Sequence, residues 1–332
     1  MSQTPRISVL LNCYNQADYV RDAVESVLAQ TFVDFELIAT DNGSTDDTPK
    51  ILSQYANHPK VRLNLCSDNQ TVSRRFNQAI ALARGEFVTF LYSDDWYFPY
   101  KLEHQVSLFD QLPPEYGLVY APLHVYNQIT GKEWDLSAPV ITNDSLAGLL
   151  TTRDIGTIDM ISPMIRRECF VRHPFLDDVF AEGEGIFLRV ALTHRIHFDP
   201  KPVSVMRDTG ENRGKAIRKN IEMHWKTLET LEADPAFDPK KYGPLLRQYQ
   251  NLLLTNSAWC NLRMNGPAGW SYRQFFRSIC IKPTCLTRKR FLAGLILGLA
   301  PLPLRRLINR QLDHIMGVKA NSTVVESYGG SS

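Results

Sequence analysis

The six cysteines of this 332-residue chain form no C-x-x-C pair. That removes the usual signature of a zinc site and of a dense disulfide framework, and isolated thiols in a reducing compartment are expected. Internal repeats are absent, and the single low-complexity tract is the Ser/Gly-ended tail. A strand is expected within a few residues of the N-terminus. That leaves no room for a signal peptide, so the expected location is cytoplasmic. Acidic residues are missing altogether between Asp238 and Asp313, a stretch with thirteen Lys or Arg. The rest of the chain holds 24 basic against 35 acidic residues, although the overall net charge is only +2. Such asymmetry speaks about partners rather than about fold.

What is present is a core-forming chain, 44% hydrophobic, long enough for one large domain or one domain with an appendage. Its first hundred residues alternate between two periodicities. Ile7 to Leu11 is a nearly continuous apolar run, as a strand buried on both faces requires. Asp18 to Gln30 sets Val20, Ala23, Val24, Val27 and Leu28 on one helical face. Phe35 to Thr40 reads as a strand, and Ser44 to Ala56 as a helix with Ser44 as N-cap and Asp47 three residues on. Val61 to Cys66, Val72 to Ala83 and Phe87 to Tyr92 continue as strand, helix and strand. Pro99 then opens another helix. Further on, single strands are expected over Gly117 to Tyr126 and Ile196 to Val205, and helices over Glu184 to Thr193 and from Arg213 to about Arg310.

Strands alternating with helices imply an α/β fold with a mostly parallel sheet covered on both faces. Right-handed crossovers bring the strand C-termini to one edge, where ligands bind in open α/β sheets. Three polar segments fall at such ends: Asn12-Cys13-Tyr14-Asn15, Asp41 to Asp46, and Ser93 to Trp96. Adjacent carboxylates such as Asp94 and Asp95 repel each other unless compensated. A hard divalent cation shared with substrate phosphates would do this. A helix N-terminus ahead of Pro99 would also favour them. Asp41 precedes Asn42-Gly43, a turn signal in its own right. His124, His173, His194 and His197 show no ligand spacing. Trp96 suits either a sugar pocket or the core.

The order of these motifs resembles the opening of family 2 glycosyltransferases. The matching elements are Ile7-Ser8-Val9 leading to Tyr14-Asn15, then Ser26 to Thr31, Glu36-Leu37-Ile38 and Asp41 to Asp46. Asn77, Gly85-Glu86-Phe87 and Leu91 to Asp95 follow in order, and the resemblance covers about residues 5 to 210. It implies a GT-A fold, with a Rossmann-like, mostly parallel sheet flanked by helices and followed by a helical C-terminal extension. The implied division is a nucleotide-sugar-binding catalytic domain over 1–210 and a helical region over 211–332.

The resemblance also implies roles. Tyr14 and Asn15 would lie at the nucleotide, and Asp41 would bind its base or ribose. Asp94 matches the last acid of the family's D-x-D element, which holds Mn²⁺ or Mg²⁺ on the diphosphate of a UDP-sugar. Asp95 is the neighbouring acid, and Tyr92 replaces the first one. Arg74 or Arg75 would reach the nucleotide, while Arg207 and Arg213 lie where the family closes over the donor phosphates. The family's general base falls in register on Gly183, so Glu182, ahead of Glu184, is expected to supply the carboxylate. The implied reaction inverts the configuration at the sugar. Two alternatives stand beside it. One is a donor-binding protein that has lost catalysis, suggested by Tyr92 and Gly183. The other is a nucleotidyltransferase, disfavoured because Asn12 to Asn15 is not a glycine-rich, basic phosphate loop.

Phe291 to Leu304 is uncharged for fourteen residues between Arg288-Lys289-Arg290 and Arg305-Arg306. As a helix it would reach roughly 21 Å, short of the roughly 30 Å hydrocarbon core. An apolar segment between basic clusters fits a helix lying in a membrane interface, here over about 286–311. Each basic side chain near an anionic leaflet adds about 1 kcal/mol. The expected location is therefore peripheral, on the inner face of the cell membrane. A glycan or lipid-linked acceptor is expected and nucleic acid is not, since no nucleic-acid module accompanies the charge. An amphipathic helix docked on the rest of the protein is the competing reading.

Overall fold

The computed structural model of the chain describes residues 4–152, 158–179, 185–209 and 217–315. The chain divides into two compact units, one of Met1–Ser145 with Thr157–Thr209, the other of Leu146–Gly156 with Gly210–Ser332.

The first unit opens as the periodicity predicts: β1 (Ile7–Cys13), α1 (Val20–Leu28), β2 (Phe35–Asp41), α2 (Thr48–Ser53), β3 (Val61–Leu65), α3 (Val72–Leu82) and β4 (Phe87–Tyr92). It continues with β5 (Trp96–Tyr97), α4 (Lys101–Gln111), β6 (Tyr116–Tyr120), β7 (Leu123–Asn127), β8 (Glu133–Leu136) and α5 (Ser145–Thr151), whose first residue alone belongs to this unit. Then come β9 (Met164–Arg166), α6 (Cys169–Arg172), α7 (Gly185–Val190), β10 (Arg195–Phe198) and β11 (Ser204–Asp208). Seven strands form one sheet in the order β10-β6-β9-β4-β1-β2-β3. Only β9 runs against its neighbours. The other four strands form a small sheet in the order β5-β11-β7-β8.

Both expected long strands prove to be two strands in different sheets. Gly117 to Tyr126 breaks at Ala121-Pro122, so β6 enters the large sheet and β7 the small one. Ile196 to Val205 divides likewise at Pro200 and Pro202 into β10 and β11. Proline lacks the ladder donor and restrains the residue before it. The helix expected from Ser44 starts only at Thr48, with Asp47 in the N-cap position. Ser44 is unavailable as a cap because its hydroxyl donates to Asp41 and accepts from the Asn15 amide.

β1 is buried along its whole length. Ile7, Val9, Leu11 and Cys13 join Val20, Val24 and Val27 of α1 and Leu102, Val106 and Phe109 of α4 in one core. At the other end of the sheet, away from the strand C-termini, Glu36 is buried and receives four kinds of donor. They are the Ser8 hydroxyl at 2.8 Å, the Arg84 amide at 2.8 Å, the Arg84 side chain, and Arg62 at 3.3 Å. Ser8 in turn accepts from the Gly85 amide. Burial alone would raise the Glu36 pKa. The hydrogen bonds from Arg84 and Ser8 outweigh it and hold the group below its ordinary value. Glu36→Gln is expected to cost about 2 kcal/mol of stability at pH 7. A depressed carboxyl contributes fully above its unfolded pKa of about 4.3 and loses that contribution as pH falls through the folded value. The difference between parent and variant therefore closes in acid, which urea unfolding at neutral pH and near pH 3 would record.

Lys101 is fully buried in α4. Its ammonium donates to the Ser162 carbonyl at 2.6 Å and to Gln105 at 2.8 Å, and lies 4.7 Å from the Tyr97 ring centre. Burial pushes its pKa well below the ordinary lysine value. Gln105 donates to the same carbonyl, so α4 fixes the loop that leads into β9.

The second unit is helical: α8 (Ile217–Ala233), α9 (Pro239–Arg263), α10 (Ala268–Ile281), α11 (Lys289–Leu299) and α12 (Leu302–Ile315). Asp238 caps α9 by accepting from the Lys240 and Lys241 amides, with Pro239 in the first turn. Buried amides join the helices. Asn251 donates to Ser278, Asn261 to Ser271, and Asn309 to the Leu262 carbonyl. The uncharged run Phe291 to Leu304 is not one helix, because Pro301 divides α11 from α12. Among the described residues no helix is long and apolar enough to cross a membrane.

Candidate active site

The sheet order puts β4 on one side of β1 and β2, then β3, on the other. The chain reverses direction of travel across the sheet at β1, and the crevice at such a switch point is where open α/β sheets bind ligands. Register makes this concrete. Cys13 at the end of β1 pairs with Asp41, and Asn12 pairs with Tyr92. Asp41 and the Asp94-Asp95 turn thus stand about 10 Å apart, two strand spacings, across the C-terminal end of β1.

On the β2 side the turn is fully built. Asp41 is buried and accepts from the Ser44 amide at 3.0 Å and from the Ser44 hydroxyl. Each carboxylate oxygen keeps acceptor capacity beyond these bonds. Asn15, at φ +51°, accepts from the Thr45 amide at 2.8 Å, which ties the β1 and β2 ends together. Tyr14, beside it, is half-buried. Gly43 has φ +75°, and a Cβ there would lie 2.6 Å from the Asp68 carbonyl carbon. Asn42 accepts from the Gln70 amide and from Arg75 Nε. Arg75 is buried and also bonds Asp68 and Gln78, so it braces the β3–α3 loop. Arg74 is half-exposed, 4.0 Å from Asp177. It lines an open depression of about 450 Å³ together with Asn69, Gln70, Thr71 and Asp177. Asn77 donates to the Phe175 carbonyl at 2.8 Å and accepts from its amide. It thereby fastens the Phe175 backbone, in the segment after α6, to α3.

On the β4 side, Asp95 is buried, and its Oδ1 accepts from the Arg207 amide at 2.9 Å. The Arg207 guanidinium donates to the Asp94 carbonyl at 3.0 Å and to Asp22 at 2.9 Å. It lies over the rings of Trp96, at 4.7 Å, and Tyr19, at 5.0 Å. The pairing of Val205 with Trp96 delivers Arg207 to this position. Arg207 is therefore engaged with the acidic turn itself. A third carboxylate, Asp159, shares the electrostatics. Burial, then the charges of Asp94 and Asp159, push the Asp95 pKa well up against the opposing Arg207 contacts. Asp159 is raised by burial and by Asp94, against a hydrogen bond from the Ile161 amide. Acids that feel one another's charge favour a cation beside them. Among the described residues no three His, Cys, Asp or Glu side chains are set to hold a metal by themselves. Asn12 Oδ1 and Thr40 Oγ1, both buried at these strand ends, find no hydrogen-bond partner among the described residues. Such orphan groups call for a bound polar molecule or water.

Sequence reasoning missed Asp159. Its available signal was one acid inside the apolar run Ile158 to Ile161. Glu182, Glu184 and Arg213 lie outside the described residues.

Comparison with known proteins bears on the family and the fold. Residues 8–170 match the family model described as Glycosyl transferase family 2. An uncharacterized glycosyltransferase of Nostoc sp. is 38% identical over 235 residues, 66% of this chain and 73% of that protein. The match spans only 38% of the length of two uncharacterized glycosyltransferases from Rickettsia typhi and Rickettsia prowazekii, at 31 and 32% identity. Among solved structures, S. aureus TarS 1-349 in complex with UDP-GlcNAc superposes with a TM-score of 0.64 at 16% identity, over 95% of this chain and 93% of that one. Mannosyltransferase PcManGT from Pyrobaculum calidifontis, in complex with GDP-Man and Mn²⁺, gives 0.59 at 16% identity over 96% and 89%. At these identities the two structures speak for the fold, which is of GT-A type.

Proposed function

Because the chain belongs to glycosyl transferase family 2, we propose that it transfers a sugar from a nucleotide-diphosphate sugar, a UDP-sugar, to a hydroxyl of a glycan or lipid-linked acceptor, with inversion at the anomeric carbon. Synthesis of a surface polysaccharide is the process such a reaction serves. The observation that carries the reading is the pair of acidic turns flanking the end of β1. Asp41 would hold the base or ribose, with Tyr14 and Asn15 beside it and Arg74 at the rim. Asp94 would face the diphosphate, braced through Asp95 and Arg207, with Arg213 as a further phosphate contact. A divalent ion bound there, Mn²⁺ or Mg²⁺, supplies neutralisation of the charge growing on the leaving diphosphate. The acceptor hydroxyl must lose its proton as it attacks. Glu182, with Glu184 as second candidate, is the group we assign to that step. The complexes of TarS with UDP-GlcNAc and of PcManGT with GDP-Man and Mn²⁺ support a nucleotide sugar and a metal.

Thermal unfolding against a panel of nucleoside diphosphates and their sugars, with and without Mn²⁺, tests the reading. A donor present at a hundred times its Kd stabilises by about 2.7 kcal/mol, so UDP in Mn²⁺ is expected to raise the midpoint by several degrees. If no nucleoside diphosphate stabilises the protein, the reading fails. A protein that binds UDP but neither hydrolyses nor transfers any donor would instead be a donor-binding protein without catalysis.

A further inference from the structure

α11 has two apolar faces. One is committed inside the helical unit, where Phe291 stacks edge-on against Phe275 at 4.9 Å. A Cβ on Gly294 would meet Phe275 at 2.4 Å, and one on Gly298 would meet Tyr272 at 2.8 Å. These glycines let the helix approach α10 as closely as it does. The opposite face carries Leu292, Ile296 and Leu299, spaced to form one stripe. They are 48, 72 and 79% exposed. Past Pro301, Leu304 and Leu307 of α12, three residues apart on one helical face, are exposed as well. Scattered exposed leucines need no explanation, but three large apolar side chains in register on one helical face do.

The charge around this stripe has one sign. Lys289 stands at its head, three residues before Leu292, and Arg306 and Arg310 stand at its far end, all exposed. No acidic residue occurs between Asp238 and Asp313. Asp313 itself is paired with Arg263. Arg305 is turned inward onto the Asn265 and Gly266 carbonyls and does not belong to this surface. An apolar strip framed by exposed cations is complementary to a surface with an anionic outer layer and an apolar interior.

We propose that the outer face of α11 and the start of α12 dock on an anionic lipid bilayer. The apolar stripe enters the boundary between headgroups and acyl chains, and Lys289, Arg306 and Arg310 lie against lipid phosphates. Such a helix lies in the interface and does not span. The competing reading, a helix wholly consumed by packing, is met by α11 itself: it packs through Phe291, Gly294, Leu297 and Gly298 and still leaves a second apolar face uncovered. This inference stands independently of the sugar-transfer reading, since it involves none of the strand-end residues.

Flotation of the full-length protein with vesicles decides it. Vesicles of phosphatidylcholine with about one-third phosphatidylglycerol are expected to carry the protein up the gradient, and pure phosphatidylcholine vesicles are not. Raising salt from about 0.1 to about 1 M, which shortens the screening length from about 10 to about 3 Å, is expected to weaken the binding. The variant Ile296→Ser/Leu299→Ser and the variant Lys289→Glu/Arg306→Glu are each expected to lower the bound fraction at least about tenfold. Both change exposed positions, so circular dichroism and the unfolding midpoint should match the parent. Val171→Ser, which alters an 82% exposed residue of the sheet unit, should bind like the parent. Failure of the parent to float with anionic vesicles overturns the proposal, as does full binding by both double variants. So does a stable dimer that Ile296→Ser/Leu299→Ser converts to monomer, because the stripe would then be a contact between copies.

Discussion

Asp94→Asn is expected to lower kcat/KM for sugar transfer on the order of a thousandfold, the scale of losing a preorganised charge at a developing anion. The substitution keeps the shape of the side chain. It leaves in place the Asp94 carbonyl that receives Arg207 and the Asp95 carboxylate that receives the Arg207 amide. The unfolding midpoint should therefore stay within a few degrees of the parent. What disappears is the carboxylate whose charge helps raise the pKa of both Asp95 and Asp159. The variant should thus lose the extra stabilisation that Mn²⁺ gives in the presence of UDP, while UDP alone still binds through the Asp41 side. Measured transfer rates together with Mn²⁺ titrations by thermal shift separate these effects. Unaltered transfer in the variant would remove Asp94 from the mechanism.

Gly43→Ala is expected to cost about 3 kcal/mol or more, read by urea unfolding. The left-handed backbone alone costs a residue with a Cβ about 1–2 kcal/mol. The new methyl must also displace main-chain atoms of Asp68 and Asn69, which lie 2.6 to 2.9 Å from it, and backbone yields less readily than a side chain. Gly131 supplies the internal comparison, since it has φ +67° but nothing within 4 Å of a built Cβ. Gly131→Ala should therefore show the conformational cost alone. The difference between the two variants measures the close approach of the β3–α3 loop to the Asp41 turn. Because Arg75 and Asn42 hold that loop, Gly43→Ala should also weaken UDP binding, whereas Gly131→Ala should not. Equal costs for the two would mean that the loop gives way freely and plays no part in shaping the site.

Much of the large sheet was legible because long, doubly covered strands advertise themselves as continuous apolar runs. Ile7 to Leu11 and Phe87 to Leu91 needed no context. The small sheet was not legible for the opposite reason. β5 has two residues and β8 four, and β7 and β11 each adjoin a strand of the other sheet across a proline break. Periodicity cannot tell one bent strand from two strands in different sheets. The Arg74 and Arg75 pair was readable in principle. Arg75 shares helical spacing with Val72, Phe76 and Ala79, the buried face of α3, so the outward member had to be Arg74. The engagement of Arg207 with Asp95 was not readable, because it depends on a register between β5 and β11 that no local pattern encodes. Asp159 was overlooked for a related reason: its neighbours at the turn lie more than sixty positions away along the chain.

The insertion of β9 between β4 and β6, and the late arrival of β11, have a consequence for the nascent chain. β1 to β4 and both acidic turns emerge from the ribosome within the first hundred residues. The amide that Asp95 accepts from belongs to Arg207, and at about 5–20 residues per second it follows on the order of ten seconds later. During that interval β4 has an open edge where β9 will pair, and the Asp94-Asp95 turn lacks its main-chain donor. An exposed strand edge of this kind is open to edge-to-edge association until it is paired. Both the sheet and the turn are thus completed only by residues beyond position 160, a wait built into the order of the strands.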